Sequence, residues 1–212
     1  MAYIEIKNLS KAYGQQIVLS NVTLDWEEGM IHGLIGRNGS GKTQLFKCVC
    51  GYVSPDAGTV RVGGKQIGKE IEYPPSLGLL LEGPGFLPGC SGLLNLQLLA
   101  AIRSKLTKQD LMETLKRVGL DNVGKKHYSH YSLGMKQRLG IAQAIMEDPT
   151  LIVLDEPFNG LDNAGVQEVR KLLQGLAEKG KTILLSSHNA DDIHILCNTV
   201  HEIEAGVVRR IR

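Results

Sequence analysis

The residues best suited to chemistry form one run, Gly36-Arg37-Asn38-Gly39-Ser40-Gly41-Lys42-Thr43. Glycines at 36, 39 and 41 let the backbone turn tightly and gather several N–H donors around one hollow. An apolar stretch, 30–35, reads as a buried strand before the run, and 44–50 reads as the start of a helix after it. That helix adds partial positive charge at its first turn. Lys42 can reach outer phosphates and the Thr43 hydroxyl can ligate Mg²⁺, which is the chemistry of a loop that holds a nucleoside triphosphate. A glycine-rich turn with a chance lysine is the plainer reading, and the flanking strand and helix argue against it. Asp155 and Glu156 follow the apolar stretch 151–154, and His188 follows another, 182–186. A carboxylate at Asp155 can bind the Mg²⁺ that Thr43 and the phosphates hold. Glu156, pointing elsewhere if strand alternation continues, can orient or deprotonate an attacking water. His188, on the neighbouring strand end, can contact the terminal phosphate. The bland alternatives are an acidic pair in a solvated turn and a histidine satisfied by ordinary hydrogen bonds.

Such groups come together only if several parallel strands end on one edge of a sheet. The chain reads that way in its second half: buried strands at 77–81, 151–154 and 182–186, the first ending at Glu82. Its first third begins antiparallel. Residues 3–7 alternate apolar and charged. Along 17–26, Val18, Ser20, Val22, Leu24 and Trp26 fall on one face. Gly63-Gly64 marks a hairpin between two short strands, and Ala205-Gly206 another at the C-terminus. Helical patterns occupy 93–102, 107–118 with Thr107 and Asp110 as a capping start, 132–145, 164–178 and 191–197. The first three interrupt the alternation of strand and helix and read as a lobe inserted over about 85–149.

At 212 residues the chain suits one domain, or one domain with an inserted lobe. Hydrophobic residues at 42% and charged residues at 22% are those of a soluble globular protein. A formal net charge of +2 is too small to argue for nucleic acid as a partner. Cys48, Cys50, Cys90 and Cys197 form no CxxC pair, so the simple reading is reduced thiols in a cytosolic enzyme. The N-terminus carries no signal-peptide pattern, and no apolar run approaches the roughly 18 residues of a membrane span. His127, His130, His194 and His201 make no metal-ligand arrangement. The arginines of 209–212 read as a solvated tail.

Together these residues resemble the ATPase subunit of an ABC transporter, over nearly the whole chain. The run from Gly36 to Thr43 matches the Walker A loop and 151–156 matches Walker B with its catalytic glutamate. Asn159-Gly160-Leu161-Asp162 matches the D-loop, His188 the switch histidine, and Tyr13 the aromatic residue that stacks on adenine. The segment Tyr131-Ser132-Leu133-Gly134-Met135, followed by Lys136-Gln137-Arg138, is similar to the family's signature. Leu133 replaces its usual second glycine and Met135 its usual glutamine. Ser132 and Gly134, which carry the phosphate contacts in the family, are kept. Glu82 stands where the family usually has glutamine. The runs 81–88 and 131–138 look like the bacitracin-resistance and lantibiotic-immunity branch of exporters.

The resemblance implies an α/β P-loop NTPase core with a mixed, mainly parallel sheet, an antiparallel N-terminal β part and the inserted helical lobe, all one domain over 1–212. It implies ATP on Tyr13, Gly36, Arg37, Asn38, Gly39, Ser40, Gly41, Lys42, Thr43 and Gln44. A second subunit, identical or closely related, adds its Ser132 and Gly134 across a head-to-tail dimer. Mg²⁺ falls to Thr43, Asp155 and Glu82, and catalysis to Glu156, His188 and Lys42. A glutamate at 82 offers the metal a charged oxygen in place of a neutral one and repels the terminal phosphate. It is expected to link the nucleotide to the helical lobe, with an exposed loop carboxylate as the alternative. A separate membrane permease is the implied partner, with the subunit on the cytoplasmic face and no nucleic acid involved. The branch implies export of a peptide antibiotic or similar amphipathic compound; cargo, direction and preference for ATP over GTP stay open. The alternatives are a soluble ABC-type ATPase that uses nucleotide-driven dimerisation for assembly or regulation, and a binding module timed by nucleotide. Glu156 and His188 favour turnover.

Overall fold

The computed structural model describes residues 2–83, 85–103, 106–188 and 190–212. Pro84, part of the 81–88 run, lies outside them. Two sheets are present. An antiparallel one, in the order β2-β1-β4-β5, is built from β1 (Ala2–Tyr13), β2 (Gln16–Glu27), β4 (Ala57–Val62) and β5 (Lys65–Gln66). The other holds six strands in the order β10-β9-β3-β8-β7-β6. These are β3 (Ile31–Ile35), β6 (Leu77–Leu80), β7 (Leu151–Leu154), β8 (Thr182–Ser187), β9 (Thr199–Glu204) and β10 (Val207–Arg210). Only the β9–β10 pair is antiparallel. The C-terminal ends of β3, β8, β7 and β6 therefore share one edge, where Gly36, His188, Asp155 and Glu82 follow them.

The central strands are apolar throughout because both faces are covered. Along β7, Leu151 and Val153 pack with the antiparallel sheet and α1 (Lys42–Val49), while Ile152 and Leu154 pack into the helical side. That side consists of α2 (Gly92–Arg103), α3 (Lys108–Arg117), α4 (Leu133–Ile145), α5 (Asn163–Ala177) and α6 (Ala190–Leu196). Helices α2, α3 and α4 lie between β6 and β7 in the chain, in the stretch read as an inserted lobe. Thr107 caps α3 in a complete capping box with Asp110, and Leu111, Leu115 and Val118 are buried beneath it. Helix α4 comes so close to β6 that a Cβ on Gly78 would sit 1.8 Å from the Ala144 carbonyl oxygen.

Three expectations change. Strand β1 runs on to Tyr13, well past residue 7, through register shifts after Ile6 and Leu9. Asn8 and Asn21 adopt left-handed backbones there (φ 51 and 49), the conformation asparagine tolerates best outside glycine. Each N–H finds a hydroxyl, Asn8 on Thr23 at 2.9 Å and Asn21 on Ser10 at 3.0 Å. The irregularity also flips β2: Val22, Leu24 and Trp26 face the core, but before Asn21 it is Leu19, not Val18, that is fully buried. The first helix also begins earlier than read, at Lys42.

Trp26 joins the two sheets. Its ring stacks on His32 of β3 (centroids 5.9 Å) and meets His201 of β9 edge-on at 5.8 Å. Its indole N–H donates to His201 Nδ1 at 3.3 Å, so that nitrogen must carry a lone pair. His32 contacts the Glu27 carbonyl at 2.8 Å and the Thr199 hydroxyl at 2.7 Å, a set that suits the neutral ring. Burial lowers the pKa of both rings, that of His201 to about 4, and Arg210 opposes a charge on either. A folded-state pKa held below the unfolded value near 6.5 means that unfolding takes up protons as acid is added. Stability is full above about pH 6.5 and is lost as the pH falls toward 4. From pH 7 to 5 the loss through His201 alone is about 2 kcal/mol, or roughly 4–8 °C in Tm. Thermal melts followed by near-ultraviolet circular dichroism should show that drop, and His201→Gln should flatten it.

Candidate functional site

The phosphate loop leaves β3 at Gly36 and enters α1 at Gly41, whose φ of 112 no other residue type takes comfortably. Gly36 has no room for a side chain: a Cβ would lie 2.4 Å from the Ile203 carbonyl oxygen and 2.6 Å from Ser40 Oγ. The loop borders a cleft of about 330 Å³ lined by Tyr13, Asn38, Gly39, Lys42, Thr43, Gln44, Asp155 and Glu156 among others. That volume falls within the range of small-ligand sites. Lys42 is buried, its ammonium donating to the carbonyls of Gly36 (2.7 Å) and Arg37 (3.3 Å) and lying 3.5 Å from Glu156 Oε1. Ser40 Oγ is buried with no hydrogen-bond partner among the described residues, a group left over for a ligand. Arg37 is solvent-exposed.

Asp155 and Glu156 both line the cleft, yet their partners differ. Asp155 Oδ2 accepts from the Thr43 hydroxyl at 2.5 Å, and Oδ1 accepts from the Ser186 hydroxyl. Hard oxygen donors paired this way beside a phosphate loop suit Mg²⁺. Among the described residues no cluster of three or more histidine, cysteine or acidic groups could hold a metal ion by itself. Glu156 diverges from Asp155 for a reason other than strand alternation. Strand β7 has already ended, and Glu156 takes a left-handed backbone, φ 51. Its N–H donates to Ser186 Oγ at 3.0 Å, and its Oε2 meets His188 at both the main-chain N–H (3.2 Å) and ring Nδ1 (2.8 Å). His188 is therefore seated on the carboxylate, with its ring largely exposed.

At the mouth, Tyr13 ends β1 with its ring half exposed. Its hydroxyl donates to Gln44 Oε1 at 3.0 Å, and Lys11 Nζ lies 5.3 Å from the ring centre. The ring offers a flat face beside the loop. Glu82 departs from expectation. Its carboxylate pairs with Lys47 of α1 at 2.6 Å and borders a different cavity, with Tyr52 and Gln143. The structure does not bring it to Thr43 and Asp155. Ser132 and Gly134 also lie off the cleft: Ser132 is exposed as the N-cap of α4, its hydroxyl accepting from Met135 N–H at 3.2 Å. Ser186 and Gln137 gain contacts that the sequence does not announce. Ser186 looks like any strand residue, and the carbonyl that Gln137 reaches, that of Glu156 at 3.0 Å, is visible only in three dimensions.

A glycine-built phosphate loop, a carboxylate at the next strand end and a second carboxylate under a histidine define a P-loop nucleotide site. The sequence pattern of the ABC transporter family matches residues 19–159. The chain is 40% identical over 203 residues to the uncharacterised ABC transporter ATP-binding protein YybJ of Bacillus subtilis (strain 168), covering 96% of this chain and 93% of that one. It is 42% identical over 205 residues to the bacitracin transport ATP-binding protein BcrA of Enterococcus faecalis (96% and 67% covered). It is 33% identical over 205 residues to the lantibiotic transport ATP-binding protein SrtF of Streptococcus pyogenes (97% and 88%). A solved ATP-binding subunit of an ABC transporter superposes with a TM-score of 0.85 at 28% identity, covering 99% and 90%. The dimeric MJ0796 cassette gives 0.88 at 22% identity, covering 99% of each chain, a likeness of fold. The chain belongs to the ABC transporter family, among its ATP-binding ATPases. None of the described helices is long and apolar enough to cross a membrane.

Fully buried Ser186 holds both acidic residues at once. Ser186→Ala strands the Glu156 N–H and should destabilise the fold by about 2 kcal/mol, lowering Tm by roughly 4–8 °C in a thermal melt.

Proposed function

We propose that the chain binds and hydrolyses ATP as one half of a head-to-tail dimer and so drives a separate membrane permease. One observation carries this reading. The cradle, the metal-binding pair and Glu156 line one cleft, whereas Ser132 and Gly134 stand off it at an exposed helix N-terminus. A helix N-terminus attracts anions, and a second copy with the same surface can present Ser132 to the open side of the cleft. Symmetry then builds two equivalent sites from one interface.

In each site Lys42 and the loop N–H groups hold the phosphates, and Tyr13 offers a stacking face to the base. Thr43 and Asp155 would hold Mg²⁺, which would offset negative charge on the phosphates. Glu156 accepts a proton from water as the water oxygen bonds to the γ-phosphorus and the bond to the β-phosphate oxygen breaks. His188, on the same carboxylate, fixes its direction and reaches toward the phosphate. Loss of the bridging γ-phosphate removes the charge that draws the two halves together. Glu82 would reach the metal only after leaving Lys47, which makes it a link between nucleotide and helical lobe. The cargo proposed is a peptide antibiotic or similar amphipathic compound, which the relatives named for bacitracin and lantibiotic transport support, and outward movement is part of the proposal.

Glu156→Gln should bind ATP, lose at least about 100-fold in turnover and accumulate as a dimer on size exclusion with light scattering. Turnover at the original rate would remove Glu156 from its role. A polytopic protein copurifying from native membranes in mild detergent supports transport, whereas only soluble partners would favour assembly or regulation. Glu82→Ala should change both basal and permease-stimulated hydrolysis in vesicles. If neither rate moves, Glu82 is no link.

A further inference from the structure

Glu156 occupies a conformation that side-chain-bearing residues rarely adopt, and both faces of its main chain are held by side chains from other elements. Its N–H donates to Ser186 Oγ of β8, and its carbonyl accepts from Gln137 Nε2 of α4 as well as from the Asn159 N–H at 3.2 Å. Gln137 lies five residues beyond Ser132, the N-cap of α4, about 7.5 Å along the helix axis. The first turn of that helix is wedged against the segment that follows Glu156. A Cβ on Gly134 would stand 2.8 Å from the Gly160 carbonyl oxygen, and one on Gly160 would stand 2.4 Å from the Leu133 side chain. A shift or tilt of α4 therefore moves the backbone around Glu156. A backbone in a sparsely populated basin stays there only while its surroundings hold it.

We propose that Gln137 is a positioning residue that couples the two nucleotide sites of the dimer. This rests on the split-site reading above. The N-terminal end of α4 engages the nucleotide held by the partner, and Gln137 passes the resulting set of the helix to the base that acts on the chain's own nucleotide. Engagement at one site favours the left-handed, aligned Glu156 at the other. The element with two arrangements is the Glu156 main chain, and both sites bias it.

The test uses the full chain with Gln137→Met, which keeps length and helix preference but removes the N–H donor. Gln137→Leu is the second variant. Expected are a Tm within about 3 °C of the parent and ATP binding to the monomer within about twofold. Dimer formation in the Glu156→Gln background should be retained. The kcat should fall about tenfold, as for a base held slightly out of line, and the Hill coefficient for ATP should drop from above 1 toward 1. Combining Ser132→Ala with Gln137→Met in one chain should lose no more than the larger single change, because both act through one helix. A dimeric, cooperative parent with an equally cooperative Gln137→Met protein overturns the coupling and leaves the split site standing. A parent that never dimerises and turns over with a Hill coefficient of 1 overturns both.

Discussion

Asp155 is the point on which the site depends. One of its carboxylate oxygens accepts a hydrogen bond from the Thr43 hydroxyl on α1, the other from the Ser186 hydroxyl on β8, and its own N–H donates to the Leu80 carbonyl on β6 at 2.7 Å. One residue thus fixes the relative height of the phosphate-loop helix and three neighbouring strand ends. Hydrogen bonds to a charged acceptor are the stronger kind, and partial burial strengthens them further. Glu156, the next residue, is tied to the same arrangement through Ser186. The serine that secures Asp155 also accepts from the Glu156 N–H, so Asp155 and Glu156 cannot drift independently.

The two cores serve the same end. The layer between the sheets, with Trp26, Phe46 and Leu34, makes the β3-to-α1 connection rigid. The layer under the helices, with Leu139, Ile152 and Leu185, sets α4 against the strand ends. Helix α1 packs in the first of these cores and helices α2, α3 and α4 in the second.

Much of this was legible in the residues. The phosphate loop declared itself through glycines at fixed spacing between a strand and a helix, and the buried strands through short apolar runs ending in Asp155, His188 and Glu82. Ser132 announced the start of α4 and Thr107 that of α3 by ordinary capping chemistry. What was not legible depended on contacts distant in sequence or on unusual backbones. Periodicity assumes a regular strand, so the turn at Asn21 put Val18 on the wrong face. Glu156 was assigned its direction by alternation, while a left-handed residue beyond the strand end supplies it. Glu82 was given to the metal because of the motif it occupies, and nothing local could show that Lys47, 35 residues away, holds its carboxylate. Ser186 carries no pattern, and Gln137 stands in the signature-like run with nothing local to show that it reaches the Glu156 carbonyl.

The seat of Lys42 has a thermodynamic corollary. A free lysine tail samples many rotamers, and freezing it when a ligand arrives subtracts from affinity. Here the aliphatic stem is already packed and the ammonium already tethered by the carbonyls of Gly36 and Arg37. That ordering was settled when the chain folded. An arriving anion meets a stationary charge and asks it only to exchange acceptors, so selectivity at this loop is set by geometry rather than by the loss of freedom in the arm.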